Sequence, residues 1–310
     1  MKKVLLTGAS GFIGRHSIPF LLKKGYEVHA IDIVKKPAQI IANKKLFWHT
    51  CDLFNSAKQK KLIGEIKPTH LLHFAWYAVP GKYWTSLENL RWVQASLELL
   101  INFENQGGKR AVLAGTCAEY DWNCGCCSEK ISPLNPATLY GTCKHSLQEI
   151  LAHFSRQTRL SSAWGRVFHL YGPYEHPSRL VPFVICSLLK GEPVRCSHGA
   201  QIRDFLHVED VASAFVALLG NDITGPVNIA SGRPITLKDV ICKIADKLGG
   251  HDLIQFGALP VQVNDPPILI ADVGQLSQKV KWKPEYDIDM GLEQTIAWWK
   301  CLDGMGKIRI

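Results

Sequence analysis

Several things are missing from this 310-residue chain, and each absence removes a class of protein. No apolar run reaches the ~20 residues that a membrane-spanning helix needs. The most apolar stretch, "LVPFVICSLL", is too short and carries Pro182. The opening "MKKVLLTGAS" starts like a secretory signal, but glycine, serine and helix-like sequence follow at once, so it reads as strand and turn. There is no internal repeat and no low-complexity segment. Paired metal-binding cysteines are missing too. Cys117, Cys124, Cys126, Cys127 and Cys143 crowd the middle of the chain, but the spacing C-x₆-C-x-C-C is not a paired C-x₂-C zinc arrangement, and no histidine lies at finger spacing. Without a secretory signal, disulfides are not expected. The reading is therefore free thiols, no metal, no membrane and a cytoplasmic setting.

What is present is an ordinary globular composition, 46% hydrophobic and 20% charged, enough for one large or two medium domains. A formal charge of +9 suggests an anionic partner, either nucleic acid or a phosphorylated small molecule. The lysines are scattered rather than interleaved with aromatics, which favours the small molecule and argues against nucleic acid as the main partner.

Short β-branched runs alternate with helical patterns through the first half. "KVLLTG", "EVHAID", "LFWHTCDL", "HLLHFA", "RAVLAG" and "SSAWGRVFHLYGP" read as strands. Phe12–Lys24, Ser56–Ile66, a stretch within Leu87–Gln106 and Leu139–Arg156 read as helices. This rhythm predicts an α/β fold, a doubly wound parallel sheet of the Rossmann type. Beyond residue 170 prolines break the rhythm. Strand-like "RDFLHV" and "GPVNIA" then alternate with helices near Leu237–Leu248 and Met290–Lys300, which predicts a smaller mixed α/β C-terminal substrate lobe. The expected division is 1–169 for dinucleotide binding, with returning segments near 204–232, and 170–203 plus 233–310 for substrate.

"TGASGFIG" sets Gly8, Gly11 and Gly14 after a strand and into a helix. The glycines suit a tight turn, close approach of backbone to pyrophosphate and close helix–sheet packing. Asp32 ends the next strand, where a carboxylate can accept from both ribose hydroxyls and repel a 2′-phosphate. That predicts NAD, with Lys35 and Lys36 near enough to leave NADP open. Asp52 is a candidate for the adenine amino group. Further on, "YGTCK" spaces Tyr140 and Lys144 one helical turn apart on one face. An ammonium beside a phenol lowers its pKa, so tyrosine could pass a proton while a nicotinamide carries hydride.

With these motifs in place, the chain resembles the extended short-chain dehydrogenases/reductases, in the branch that modifies nucleotide sugars. The likeness runs through "TGASGFIG", Asp32, "CDL", "HFAW", Thr116, "YGTCK", "GRVFHLYGP", "RDFLHVEDVA", "NIASG" and "KWKP". It implies Tyr140, Lys144 and Thr116 as catalytic residues, with Thr116 holding the substrate oxygen. It implies cofactor contacts from Gly8, Ser10, Gly11, Phe12, Ile13 and Gly14, from Asp32, Ile33, Asp52 and Leu53, from Phe74, Ala75 and Trp76, and from Tyr140 and Lys144. Substrate contacts are expected from Thr116, Cys117, His169, Arg179, Arg203 and Asp272, with Arg203 on the nucleotide diphosphate. A homodimer built through the 87–106 and 139–156 helices is also implied.

The departures from the family pattern narrow the chemistry. Sugar-nucleotide 4,6-dehydratases follow the threonine with Asp-Glu, whereas this chain has Cys117 and Ala118. GDP-fucose synthase uses a cysteine two residues after its serine and a histidine ahead of a V-I-P-like segment. Ala118 and Arg179 stand there instead. Trp92 replaces a customary helix asparagine, and His169 an asparagine near the diphosphate. Hydride transfer at one carbon is what remains. The leading expectation is reduction of the 4-keto group of a 4-keto-6-deoxyhexose nucleotide. A 4-epimerase with tightly bound NAD is the next reading, and a non-catalytic dinucleotide- or RNA-binding relative is the third.

Overall fold

The computed structural model describes residues 2–261 and 265–304. Its core is a seven-stranded sheet of β1 (Lys3–Thr7), β2 (Glu27–Asp32), β3 (Leu46–Thr50), β4 (His70–His73), β5 (Arg110–Thr116), β7 (Ser161–Val167) and β11 (Gly225–Ile229). The spatial order is β3-β2-β1-β4-β5-β7-β11, and every pair is parallel. The order reverses between β1 and β4, and the crevice outside the carboxyl ends of those strands is where such sheets bind ligands. A polar clamp joins the two strand ends: the Thr7 hydroxyl lies 2.6 Å from His73 Nδ1, and His73 Nε2 lies 2.9 Å from the Ser96 hydroxyl.

Side chains alternate across the sheet, as the pleat requires. Val4 and Leu6 pack with Ile18 and Leu21 of α1 (Phe12–Lys23) and Phe215 of α6 (Val208–Leu219). Leu5 points the other way, to Ile63 of α2 (Ser56–Ile66), Leu99 of α3 (Glu88–Asn105) and Leu147 of α4 (Leu139–Gln157). Polar side chains start several of these helices by accepting otherwise unpaired N–H groups. Asn55 accepts from Lys58 N at 3.0 Å, and Thr138 from Gly141 N at 3.1 Å.

The smaller lobe holds a mixed sheet, β12 (Pro234–Thr236), β10 (Ile202–His207), β14 (Ile268–Ala271) and β6 (Cys126–Cys127), with β8 (His169–Tyr171) paired to β10. A two-stranded pair, β9 (Val194–Arg195) with β13 (Ile254–Gln255), lies beside it. Helices α5 (Leu180–Leu189), α7 (Leu237–Leu248) and α8 (Ile288–Gly304) enclose a second core around Ile185, Ile244 and Trp299. The "LVPFVICSLL" stretch is α5. Pro182 sits in its first turn, where no intrahelical N–H is needed. The structure adds elements that the sequence reading did not name, α5 and β14 among them, and two differences bear on the lobes. Residues 208–219 form a helix that was not anticipated, and β10 belongs to the mixed sheet while β11 returns to the main one. Among the described residues, no helix is long and apolar enough to cross a membrane.

Candidate active site

A cleft of about 1330 Å³ runs along the carboxyl ends of β1, β4 and β5 and under the smaller lobe. Its first end is the β1–α1 turn. Gly8 has φ +65°, and a Cβ there would meet Ala75 N at 2.8 Å. At Gly14 the added carbon would lie 2.1 Å from Gly8 O, so only glycine lets α1 sit down on the turn. Ser10, Gly11, Phe12 and Ile13 line the same end. Asp32 closes it from β2, accepting Ser10 N–H and Ile33 N–H, each at 2.8 Å. Ile33, Leu53, Phe74, Ala75 and Trp76 also line the cleft. Arg15 was missed in the sequence, although it directly follows the last glycine. Its guanidinium donates to Ser10 O and lies 4.0 Å from the Tyr174 ring centroid.

The second end is built from β5 and the start of α4. Thr116 ends β5, and its Oγ1 accepts the Ala118 N–H at 3.2 Å, leaving the hydroxyl proton free to donate. Gly141 allows α4 to press on the turn after Thr116, since a Cβ there would meet Ala118 O at 2.3 Å. Tyr140 is thereby brought to Thr116. Around its ring stand Tyr83 at 4.8 Å, Trp84 at 5.8 Å and Trp76 at 6.5 Å between centroids. Burial pushes the Tyr140 phenol above its ordinary pKa, Tyr83 adds to that, and the Thr116 side chain opposes it.

Lys144 is buried one turn on. Its Nζ donates to Ala114 O at 2.8 Å and rests 3.8 Å from the Trp76 ring centroid. Burial pulls its pKa down to about 7, and the charge of Glu119 works against that. The expectation that Lys144 draws the phenol downward is therefore corrected. The Tyr140 phenol stands raised, with burial the largest cause.

Cys117 also lines the cleft, but burial pushes its thiol up to about 12, which leaves it an inert, protonated group. His169 faces the cleft with an unpartnered Nδ1, and burial lowers its pKa to about 3, so it is a neutral imidazole. Arg179 lies 5.5 Å from the Tyr83 ring centroid. Arg203 lines the cleft with its guanidinium on Asp265 and on Ile202 O. Glu175 was not anticipated. It lines the cleft with an unpartnered Oε2, and burial raises its pKa well above the carboxylate range.

Two expected contacts lie elsewhere. Asp272 is turned onto the Ser128 hydroxyl and Gly274 N–H, so it closes the loop after β14 and does not face the cleft. Asp52 is exposed, accepts Phe54 N–H at 2.9 Å, and is absent from the lining although Cys51 and Leu53 belong to it. The cysteine-rich segment brings Cys117 and Cys127 into one small apolar cluster with Tyr120 and Phe168. All ten cysteines are free thiols.

The model of the NAD dependent epimerase/dehydratase family matches residues 4–230. Among curated proteins, the CDP-abequose synthase of Salmonella typhimurium is 27% identical, over 94% of this chain and 97% of that protein. A UDP-N-acetylglucosamine 4-epimerase from Methanobrevibacter ruminantium, solved with UDP-N-acetylmuramic acid, superposes with a TM-score of 0.86. It is 27% identical and covers 97% of this chain and 98% of its own. MoeE5 in complex with UDP-glucose and NAD gives a TM-score of 0.84 at 28% identity, covering 97% and 99% of the two chains.

Proposed function

The chain belongs to the NAD dependent epimerase/dehydratase family, and we propose that within it this protein reduces the 4-keto group of a nucleotide-linked 4-keto-6-deoxyhexose. One observation carries the reading. The Tyr140 phenol and the Thr116 hydroxyl face the same cleft, and of the turn after Thr116 only Cys117 lines it. Elimination of water needs a further acid and base at that turn, and epimerisation beside the ketone needs a second pair. Reduction needs one proton donor.

The residues fit a dinucleotide. Gly8, Gly11 and Gly14 keep the turn tight, since a Cβ at any of them would strike neighbouring backbone, and α1 begins there with free N–H groups that suit a pyrophosphate. Asp32 retains acceptor capacity for ribose hydroxyls beyond its three backbone contacts, from Ser10, Ile33 and Val34. When NADH is bound there, it supplies the hydride. Thr116 would donate its hydroxyl proton to the ketone oxygen and fix it. Tyr140, kept neutral by burial, would pass its proton to that oxygen as it becomes an alcohol. Lys144 would hold the nicotinamide ribose. Trp76, Tyr83 and Trp84 give an apolar wall suited to a methyl at carbon 6. Arg179, His169 and Arg203 would serve the diphosphate, Arg203 on release from Asp265.

A 4-epimerase would use the same residues, and the fold likeness to a UDP-N-acetylglucosamine 4-epimerase favours keeping that reading second. The experiment is a spectrophotometric screen of NADH oxidation against 4-keto sugar nucleotides, with mass spectrometry of any nucleotide carried through purification. NADH consumed in proportion to substrate supports the reductase. Conversion of a 4-hydroxy sugar nucleotide with no cofactor turnover would favour the epimerase. In Tyr140→Phe, turnover should fall by about 10²–10⁴ while NADH still binds. We further propose a cytoplasmic homodimer: Leu90 and Ile101 on α3 and Ile150 on α4 are exposed apolar residues, and ten free thiols suit a reducing compartment.

A further inference from the structure

The carboxylate nearest in sequence to the reactive threonine is Glu119, and the hydride and proton steps above make no use of it. It is fully buried, and so is its partner Arg166. Glu119 Oε1 accepts the Thr116 N–H and the Trp164 indole N–H, both at 2.8 Å, while Oε2 accepts Arg166 Nε–H at 2.8 Å. Arg166 continues to the Tyr120 hydroxyl at 3.0 Å and to Gln148 Oε1 of α4 at 3.3 Å. Even the strand end is cut away to admit this group. A Cβ at Gly115 would lie 1.9 Å from Trp164 Nε1 and 2.5 Å from Glu119 Oε1. Burying two ions costs several kcal/mol each, and well-packed apolar residues often serve stability as well. An ion pair directly behind the reacting atoms therefore asks for a role beyond stability.

We propose that Glu119 is a positioning residue for the reaction, fixing Thr116 through its backbone N–H and placing a buried negative charge behind Lys144. The inference rests on the reading of Thr116, Tyr140 and Lys144 given above. Lys144 touches no carboxylate: its Nζ meets Ala114 O and the Trp76 ring. It also lies 5.9 Å from the ring centroid of Trp164, the indole whose N–H binds Glu119. Of the titratable groups on the elements packed around it, Arg110 on β5 turns to Leu218 O and Ile223 O, Glu88 and Arg91 on α3 pair with each other, Glu98 on α3 meets Ser56, and Glu104 lies in the last turn of α3. On α4 itself Glu149, His153 and Arg156 are exposed and His145 is half-buried, which leaves His73 on β4, Cys117 and Glu119 on the turn, Arg166 on β7, and Tyr140 and Cys143 on α4. Glu119 is the one that raises the lysine against burial. His73 is neutral, its pKa lowered to about 3 by burial and then by Lys144.

The test is the pH profile of kcat/KM and the NADH affinity in Glu119→Gln, which keeps the shape and the oxygen that accepts the Thr116 N–H but loses the charge. The alkaline limb should move to lower pH by about one unit. Because this variant leaves Arg166 unpaired, Glu119→Gln/Arg166→Met is measured beside it. The double variant should recover stability and keep the displaced limb. A wild-type limb in either folded variant would overturn the proposal, and failure of both to fold would assign Glu119 to stability alone and overturn it too. Tyr140→Phe is assayed in parallel. An inactive Tyr140→Phe with an unmoved limb in Glu119→Gln defeats only this inference, whereas a fully active Tyr140→Phe defeats the catalytic reading beneath it.

Discussion

Replacing Gly14 with alanine puts the nucleotide end of the site to a quantitative test. The added methyl would lie 2.1 Å from Gly8 O, 2.9 Å from Gly8 C and 3.0 Å from Ala9 Cα. All three are backbone atoms, so no side chain can rotate away. To restore ordinary contact, α1 must slide off the turn by roughly 1 Å, a strain of about 1–3 kcal/mol. The same turn carries the N–H groups that would face pyrophosphate, and a misplacement of ~1 Å can lower turnover about 10²-fold. Gly64→Ala is the control. It lies in α2 with no atom within 4 Å of the new carbon, and it should stabilise the protein by up to about 1 kcal/mol through helix propensity. Urea unfolding and NADH titration read both variants. If Gly14→Ala unfolds at the wild-type midpoint and binds NADH equally well, the turn does not do what the close contact implies.

Other expectations follow from burial. His70 and His207 are held down to about 4, and His73 and His169 to about 3, with burial the largest cause in each. Between pH 6.5 and those values the unfolded chain binds more protons than the folded one, so stability rises with pH and is lost on acidification. A urea midpoint that stays flat from pH 7 to pH 4.5 would contradict this. In native protein, Ellman's reagent should label the exposed Cys124, Cys126 and Cys301 promptly and the buried Cys117 and Cys127 only on unfolding, burial holding the latter two near 12. Prompt modification of Cys117 would show that the thiol is more open than the structure implies. Ile101→Glu on the exposed face of α3 should convert a dimer to monomer in light scattering, and an unchanged mass would dismiss that face as the interface.

Local grammar made much of this legible. A glycine turn between strand and helix, an aspartate at the next strand end, and a tyrosine and lysine one turn apart each lie within a few dozen residues, and periodicity alone sets their geometry. Contacts between distant segments were not legible. Arg203 meets Asp265, the Tyr120 hydroxyl meets Asn228, and Trp84 O accepts Tyr140 N–H from a loop more than fifty residues earlier. No spacing rule announces such pairs. The orientation of Lys144 toward Ala114 O and Trp76 is of the same kind, since helix spacing says which face a lysine shares and not which acceptor it finds. Asp272 was misplaced because a family resemblance gives a position along the chain but not the direction its carboxylate takes. Glu119 was readable: Thr116-x-x-Glu119 is a capping-box spacing, and the structure forms that box at the turn after β5.

The most direct measurement supplies NADH deuterated on the transferred position, together with a nucleotide-linked 4-keto-6-deoxyhexose, and follows cofactor and sugar in the same tube. The account predicts one NADH oxidised for each sugar converted, deuterium on carbon 4 of the product, and both lost together in Tyr140→Phe. Product formed with the cofactor unconsumed, or deuterium appearing at full rate without the phenol, would contradict it.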